Sequence, residues 1–195
     1  RPSPAFPGIS PRGGSKIAAR SAPMVIFLYG SDAYRRLRRK QEIVRAFERK
    51  HLSIGVAAFD LAAEDGEASF EEFLRGRSLF EAKKLAVAEG VFEAPSDHLA
   101  DLLREFLDDE ETTVLLCEAD DPPKGFTFLL KKPSLSEEFQ ALKGPAWQAF
   151  VRRTMEARTV QASPEGAHFL ANAYEGDSWG LVTEVEKIGF LGKRL

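Results

Sequence analysis

Residues 24–40, MVIFLYGSDAYRRLRRK, decide the fold. Val25 to Tyr29 is an apolar run ending at Gly30, and an arginine-rich stretch of helical pattern follows at once. A buried strand passing through a tight glycine turn into a helix is how a nucleotide-binding α/β domain begins. A working phosphate loop needs the spacing GxxxxGK followed by Ser or Thr, so that backbone N–H groups and a lysine wrap the phosphates. Here the turn is Gly30-Ser31-Asp32-Ala33-Tyr34, with one glycine, no lysine and a carboxylate facing where phosphate would sit. The residues predict a nucleotide-binding fold that uses no nucleotide at this turn.

Outward from this stretch, strands and helices alternate. The strands are expected at 25–29, 56–60, 84–89, 113–118 and 137–142. Between them a long basic helix is expected over 32–50, with Leu37, Ile43, Val44 and Phe47 inward, and a short one over 70–75 capped by Ser69. A further helix over 97–107 follows Ser96 as cap, with Leu99, Leu102, Leu103 and Phe106 on one apolar face. Such alternation implies a mainly parallel sheet covered by helices on both sides. Gly144-Pro145 marks a boundary, beyond which the pattern is only helical: 146–157, then 164–174 with Ser163 as cap and Pro164 in the first turn, then 178–190. The expected organisation is therefore an extension at 1–23, an α/β domain at 24–143 and a small helical domain at 144–195.

The 195 residues, 44% hydrophobic and 29% charged, suit a soluble globular chain of one domain, or one and a small second. Residues 1–23 hold five prolines, three glycines and four basic residues without an acid, and no apolar periodicity. They read as a disordered extension upstream of a start at Met24, with prolines that oppose the amphipathic helix of a transit peptide. The rest of the chain is acidic, and nothing in its charge demands a nucleic-acid partner. The single cysteine, Cys117, excludes an internal disulfide and suits a reducing cytoplasm. No run approaches the roughly 20 apolar residues that span a bilayer, so no membrane partner is expected.

Side chains able to do chemistry are sparse. His51, His98 and His168 are scattered without metal-ligand spacing. Cys117 lies within an apolar strand, where a thiol behaves as a small hydrophobe. Glu118, Asp120 and Asp121 follow that strand, where a nucleotidase places its magnesium-binding carboxylates. With no phosphate loop beside them, they read as acids ending a strand in solvent. The basic run Arg35, Arg36, Arg38, Arg39 and Lys40 spreads around most of a helix circumference, as on a solvated helix rather than a phosphate-contacting face. Ser78-Leu79-Phe80 places an apolar pair between a helix and a strand. Such a pair is either tucked under the sheet as core or exposed as a docking wedge, and physics alone favours core.

Several segments together resemble the delta-subunit family of bacterial DNA polymerase III, the clamp-loader subunits that grip the sliding clamp. The resemblance starts at FLYGSDAY and runs through DGEASFEEFLRGRSLFEAKKLAVAEGVFE and TTVLLCEADDPPKG. It continues into GPAWQAFVRRTMEA and SPEGAHFLANAYEGDSWGLVTEVEKIGFL, and covers essentially everything after Met24.

The resemblance implies an AAA+-like α/β domain without a phosphate loop, followed by a small helical lid domain. It also implies that Leu79 and Phe80, with Ser78, form a hydrophobic wedge that enters the clamp and favours ring opening, which reverses the preference for core. Arg75, Arg77, Lys83 and Lys84 would be supporting charges. Implied partners are the beta sliding clamp, the other clamp-loader subunits, and DNA through the complex. No cofactor, metal or catalytic residue is implied, although the family is catalogued with DNA-directed DNA polymerases through its holoenzyme. Family members continue into a helical collar domain, and a chain ending at Leu195 is expected to be a fragment or truncated form. Two alternatives from other classes remain: a degenerate AAA+ ATPase using Glu118, Asp120 or Asp121, and a DNA-binding module working through the helix at 32–50.

Overall fold

A computed structural model describes residues 25–51, 55–76 and 83–192. The extension expected at 1–23 lies outside them. Five strands form one parallel sheet: β1 (Val25–Tyr29), β2 (Val56–Asp60), β3 (Lys84–Glu89), β4 (Thr112–Glu118) and β5 (Leu135–Glu138), in the order β2-β3-β4-β1-β5. Three helices follow the first three strands: α1 (Ala33–Glu48), α2 (Gly66–Arg75) and α3 (Asp97–Glu105). A 3-10 helix, Lys124–Leu130, joins β4 to β5. Three more helices end the chain: α4 (Gly144–Ala157), α5 (Pro164–Ala173) and α6 (Ser178–Leu191). Among the described residues no helix is long and apolar enough to cross a membrane.

A parallel sheet buries both faces, and strand side chains alternate between them. Val25 and Phe27 of β1, Ala86 and Ala88 of β3, and Val114 and Leu116 of β4 share one face with Phe70 and Leu74 of α2 and Leu99, Leu102 and Leu103 of α3. Leu28, Leu85, Val87, Leu115 and Cys117 point the other way, where Ile43, Val44 and Phe47 of α1 pack on them. The C-terminal helices close around a separate core of Trp147, Val151, Met155, Leu170, Leu181, Val185 and Ile188. The Trp147 Nε1–H donates to the Ala171 carbonyl at 2.7 Å, so the largest side chain of that core leaves no polar atom unmatched. Ser96 and Ser163 cap α3 and α5 as their sequence positions predict.

Four elements differ from expectation. The edge strand spans 135–138 rather than 137–142, with Ile26 opposite Leu135 and Tyr29 opposite Glu138. Its residues, LSEE, need only one apolar contact surface because it has one neighbour, so no apolar run announces it. Helix α2 starts at Gly66, four residues before the expected 70, and Ser69 lies inside it instead of capping it. Only glycine fits at 66, because a Cβ there would collide with the Asp60 carbonyl at the end of β2. The 3-10 helix was not anticipated; it delivers Phe126 and Leu129 into the sheet core. Helix α1 buries none of its residues completely, and Leu37 is only half-buried.

Candidate functional site

The carboxyl end of the sheet is where an open α/β sheet binds ligands, and here the protein fills it with its own groups. Gly30 sits at φ +117°, a conformation that favours glycine, and a Cβ on it would lie 2.6 Å from the Phe139 carbonyl oxygen. The chain leaving β5 therefore passes directly over the turn. The Gly30 N–H donates to the Glu118 carbonyl at 3.2 Å, the Asp32 N–H to the Phe139 carbonyl at 2.7 Å, and the Ala33 N–H to the Ser31 carbonyl at 3.0 Å. These are groups a phosphate loop would keep for its ligand. The carboxylate of Asp32 takes one more, accepting from the Arg35 N–H at 3.1 Å as the cap of α1.

The other oxygen of Asp32 accepts a 2.6 Å hydrogen bond from the Ser178 hydroxyl, at the first turn of α6. Both residues are buried, and the Arg35 guanidinium lies 3.5 Å from the same carboxylate oxygen. Asp177 caps α6 from the preceding position. An aromatic chain continues the contact: Trp179 of α6 meets Tyr34 edge-on at 5.8 Å between centroids, and Tyr34 meets Phe150 of α4 at 6.4 Å. The C-terminal helices are thus seated on the turn itself.

The acidic cluster does not assemble. Glu118 is buried, and its carboxylate accepts the Val91 N–H at 2.9 Å. Burial pushes its pKa up to about 7, against the pull of that N–H and of Arg36. Asp120 and Asp121 are exposed beyond it. Among the described residues no three His, Cys, Asp or Glu side chains are grouped to hold a metal ion. His98 pairs with Glu71 at 2.9 Å, His168 lies 3.0 Å from Asn172, and His51 packs on Phe47. Cys117 is buried as expected, its thiol pushed up to about 12 by burial.

The basic run on α1 is not a solvated face. Arg35 donates to the Gln140 carbonyl at 3.1 Å and covers the Phe139 ring. Arg36 bonds the Gly30 carbonyl, Arg39 forms a two-pronged pair with Glu137 of β5, and Lys40 pairs with Glu89 of β3 at 2.6 Å. Four of the five cations thus lash α1 to the sheet's carboxyl end, and only Arg38 is exposed.

Ser78, Leu79 and Phe80, with Arg77, lie outside the described residues. Their flanks are at the opposite, amino end of the sheet, between the end of α2 and the start of β3. There the Lys84 ammonium donates to the carbonyls of Phe73 (2.7 Å), Leu74 (2.9 Å) and Gly76 (2.6 Å), and lies over the Phe73 ring. Burial lowers its pKa. A cation satisfying the last carbonyls of a helix is favourable, and this one also ties Gly76 to the first residue of β3. Arg75 pairs with Glu71 at 2.7 Å and Glu105 at 3.1 Å, and Lys83 bonds the Glu110 carbonyl. Sequence reasoning missed Ser178 and Phe139. The available signal for Ser178 was a small hydroxyl opening a helix just after a capping Asp.

No family model matches the chain, and no curated protein matches it. Solved structures do. The Bacillus subtilis DNA clamp loader delta protein (YqeN) is similar over 88% of this chain and 54% of its own, with a TM-score of 0.55 and 19% identity. Two point mutants of Thermotoga maritima RuvB are similar with TM-scores of 0.50 and 0.51 at 12% and 11% identity, over 83% and 85% of this chain. The chain spans about half the length of the solved structures it matches. At these identities the likeness concerns the fold: a five-stranded parallel sheet in the order β2-β3-β4-β1-β5, flanked by helices and followed by further helices, is an AAA+-like α/β fold.

Proposed function

We propose that this chain is a clamp-loader delta-type subunit, which binds a sliding clamp through Ser78, Leu79 and Phe80 and favours the open ring during DNA replication. Residues 24–143 would be its AAA+-like domain and 144–195 its lid. It works in the cytoplasm with the other loader subunits, and meets DNA through the complex. The observation that carries this proposal over an ATPase is the occupied turn. With Gly30, Asp32 and Ala33 N–H groups bonded to the chain's own carbonyls, and Asp32 bonded to Ser178, the sheet's carboxyl end offers binding partners to the protein rather than to phosphate. The protein then contributes binding energy instead of bond chemistry, shifting the clamp between closed and open populations. Lys84 supports this reading of residues 78–80: its bond to the Gly76 carbonyl holds the two described flanks, Gly76 and the start of β3, together as one base. Arg75, Lys83 and Lys84 lie at that base, and these charges, with Arg77, would assist an approach to an acidic rim.

The test is binding of the 195-residue chain to a bacterial sliding clamp, beside the Leu79→Ala/Phe80→Ala variant. Two apolar side chains entering a pocket contribute on the order of 3–6 kcal/mol gross, so micromolar or tighter binding should vanish in the variant. Absence of binding by the folded, unsubstituted chain to a clamp from a related source would reject the assignment.

A further inference from the structure

Helices α1 and α4 lie on either side of a groove of about 470 Å³, which runs between the sheet portion and the C-terminal helices. Five arginines line it: Arg35, Arg38 and Arg39 from α1, and Arg153 and Arg158 beside them from α4 and its end. On α1 the three recur at helical spacing and share one side. Three of the five are matched within the protein, Arg35 by Asp32, Arg39 by Glu137 and Glu42, and Arg158 by Glu186. Arg38 and Arg153 are exposed and form no ion pair or hydrogen bond with the described residues. Two unmatched guanidiniums therefore face one groove from different helices, over a floor that includes the half-buried rings of Tyr34 and Phe150. Glu42, already paired to Arg39, is the carboxylate in the lining.

We propose that this groove seats single-stranded nucleic acid, with backbone phosphates between Arg38 and Arg153. Guanidiniums bind phosphate through paired N–H donors, and arginines interleaved with aromatic rings are how sequence-tolerant single-strand sites are built. The groove's size suits one or two nucleotides of a longer strand, with Arg38 and Arg153 on the rim. Bound strand would touch α1 and α4 together, and so brace the sheet portion against the C-terminal helices. None of the groove residues belongs to the 75–84 region, and the inference is independent of clamp binding.

The test is fluorescence anisotropy of a labelled oligothymidylate with the 195-residue protein over a range of salt. Arg38→Ala/Arg153→Ala is compared with Arg45→Ala/Arg152→Ala, which removes the same charge from exposed positions of the same two helices outside the groove. Thermal melts check that both variants fold. The expected result is binding weakened about tenfold or more by the groove variant at low salt, with a log–log salt slope shallower by roughly 1.4 for two lost phosphate contacts. The Arg45/Arg152 variant should change little. Absence of binding at low salt, or equal losses in the two variants, would overturn the proposal. So would displacement of the oligonucleotide by ATP or inorganic phosphate at matched phosphate concentration, which would make the groove a small-anion seat, as would tighter binding of duplex.

Discussion

Ser178 and Asp32 are 146 residues apart in sequence and share a buried 2.6 Å hydrogen bond that joins the first turn of α6 to the cap of α1. The bond makes one carboxylate serve two helices, since its other oxygen holds the Arg35 N–H. Removing either partner should strand the other in a dry site.

Asp32→Ala, which removes both bonds, should cost roughly 2–3 kcal/mol in urea unfolding, and Ser178→Ala about 1–2 kcal/mol. The double variant should cost about 1 kcal/mol less than the two losses combined, because they share one interaction. Strict additivity would mean that the two groups do not act together.

Gly30→Ala forces a side chain into a positive φ against the Phe139 carbonyl. A loss of roughly 1–3 kcal/mol is expected from the backbone alone, and the collision adds to it. The same turn predicts that saturating MgATP leaves the melting temperature of the unsubstituted protein unmoved. A concentration-dependent rise would revive the ATPase alternative.

Glu118 gives the fold a pH dependence. Its folded pKa, about 7, lies above the ordinary carboxylate value of 4.5, so the folded state holds its proton more tightly than the unfolded state does. The contribution to stability is present below pH 4.5 and disappears as pH rises through 7. Glu118→Gln keeps an acceptor for the Val91 N–H and cannot ionise. Melts from pH 4.5 to 8 should lose that slope, with the variant more stable at pH 8 by on the order of 1–2 kcal/mol, a figure reduced for water near the carboxylate.

Lys84→Met keeps the aliphatic stem over Phe73 and removes three donors from the end of α2. Hydrogen exchange at residues 73–76 should accelerate selectively, with a global loss of about 1–2 kcal/mol. On the clamp proposal the same variant should bind the clamp more weakly through loss of the pinned base, even though residues 78–80 are untouched.

The sheet was legible because buried parallel strands carry continuous apolar runs shortly before a glycine, VIFLY at 25–29 before Gly30 and LAVA at 85–88 before Glu89 and Gly90. The bounds of the LSEE edge strand, expected at 137–142, and the KGFTFLL 3-10 helix were not, because neither carries a period that a single sequence displays. At the site, the inward Asp32 and the deficient turn were readable in GSDAY. Ser178 and Phe139 were not, since their roles exist only once distant segments meet. The basic residues of α1 misled for the same reason: their partners Glu137, Glu89 and Gln140 come from β5, β3 and the chain just after β5.

The pin at Lys84 opens the interior strand β3, whose neighbours on both sides run parallel to it. A pull delivered there travels along the strand axis, and the ladders to β2 and β4 meet it in shear, with all their hydrogen bonds loaded together. Over its six residues β3 carries that load about 20 Å. Peeling, which breaks bonds one at a time, is available only at the edges. The sheet is therefore oriented as a strut, stiff against a load applied along β3 at its first residue.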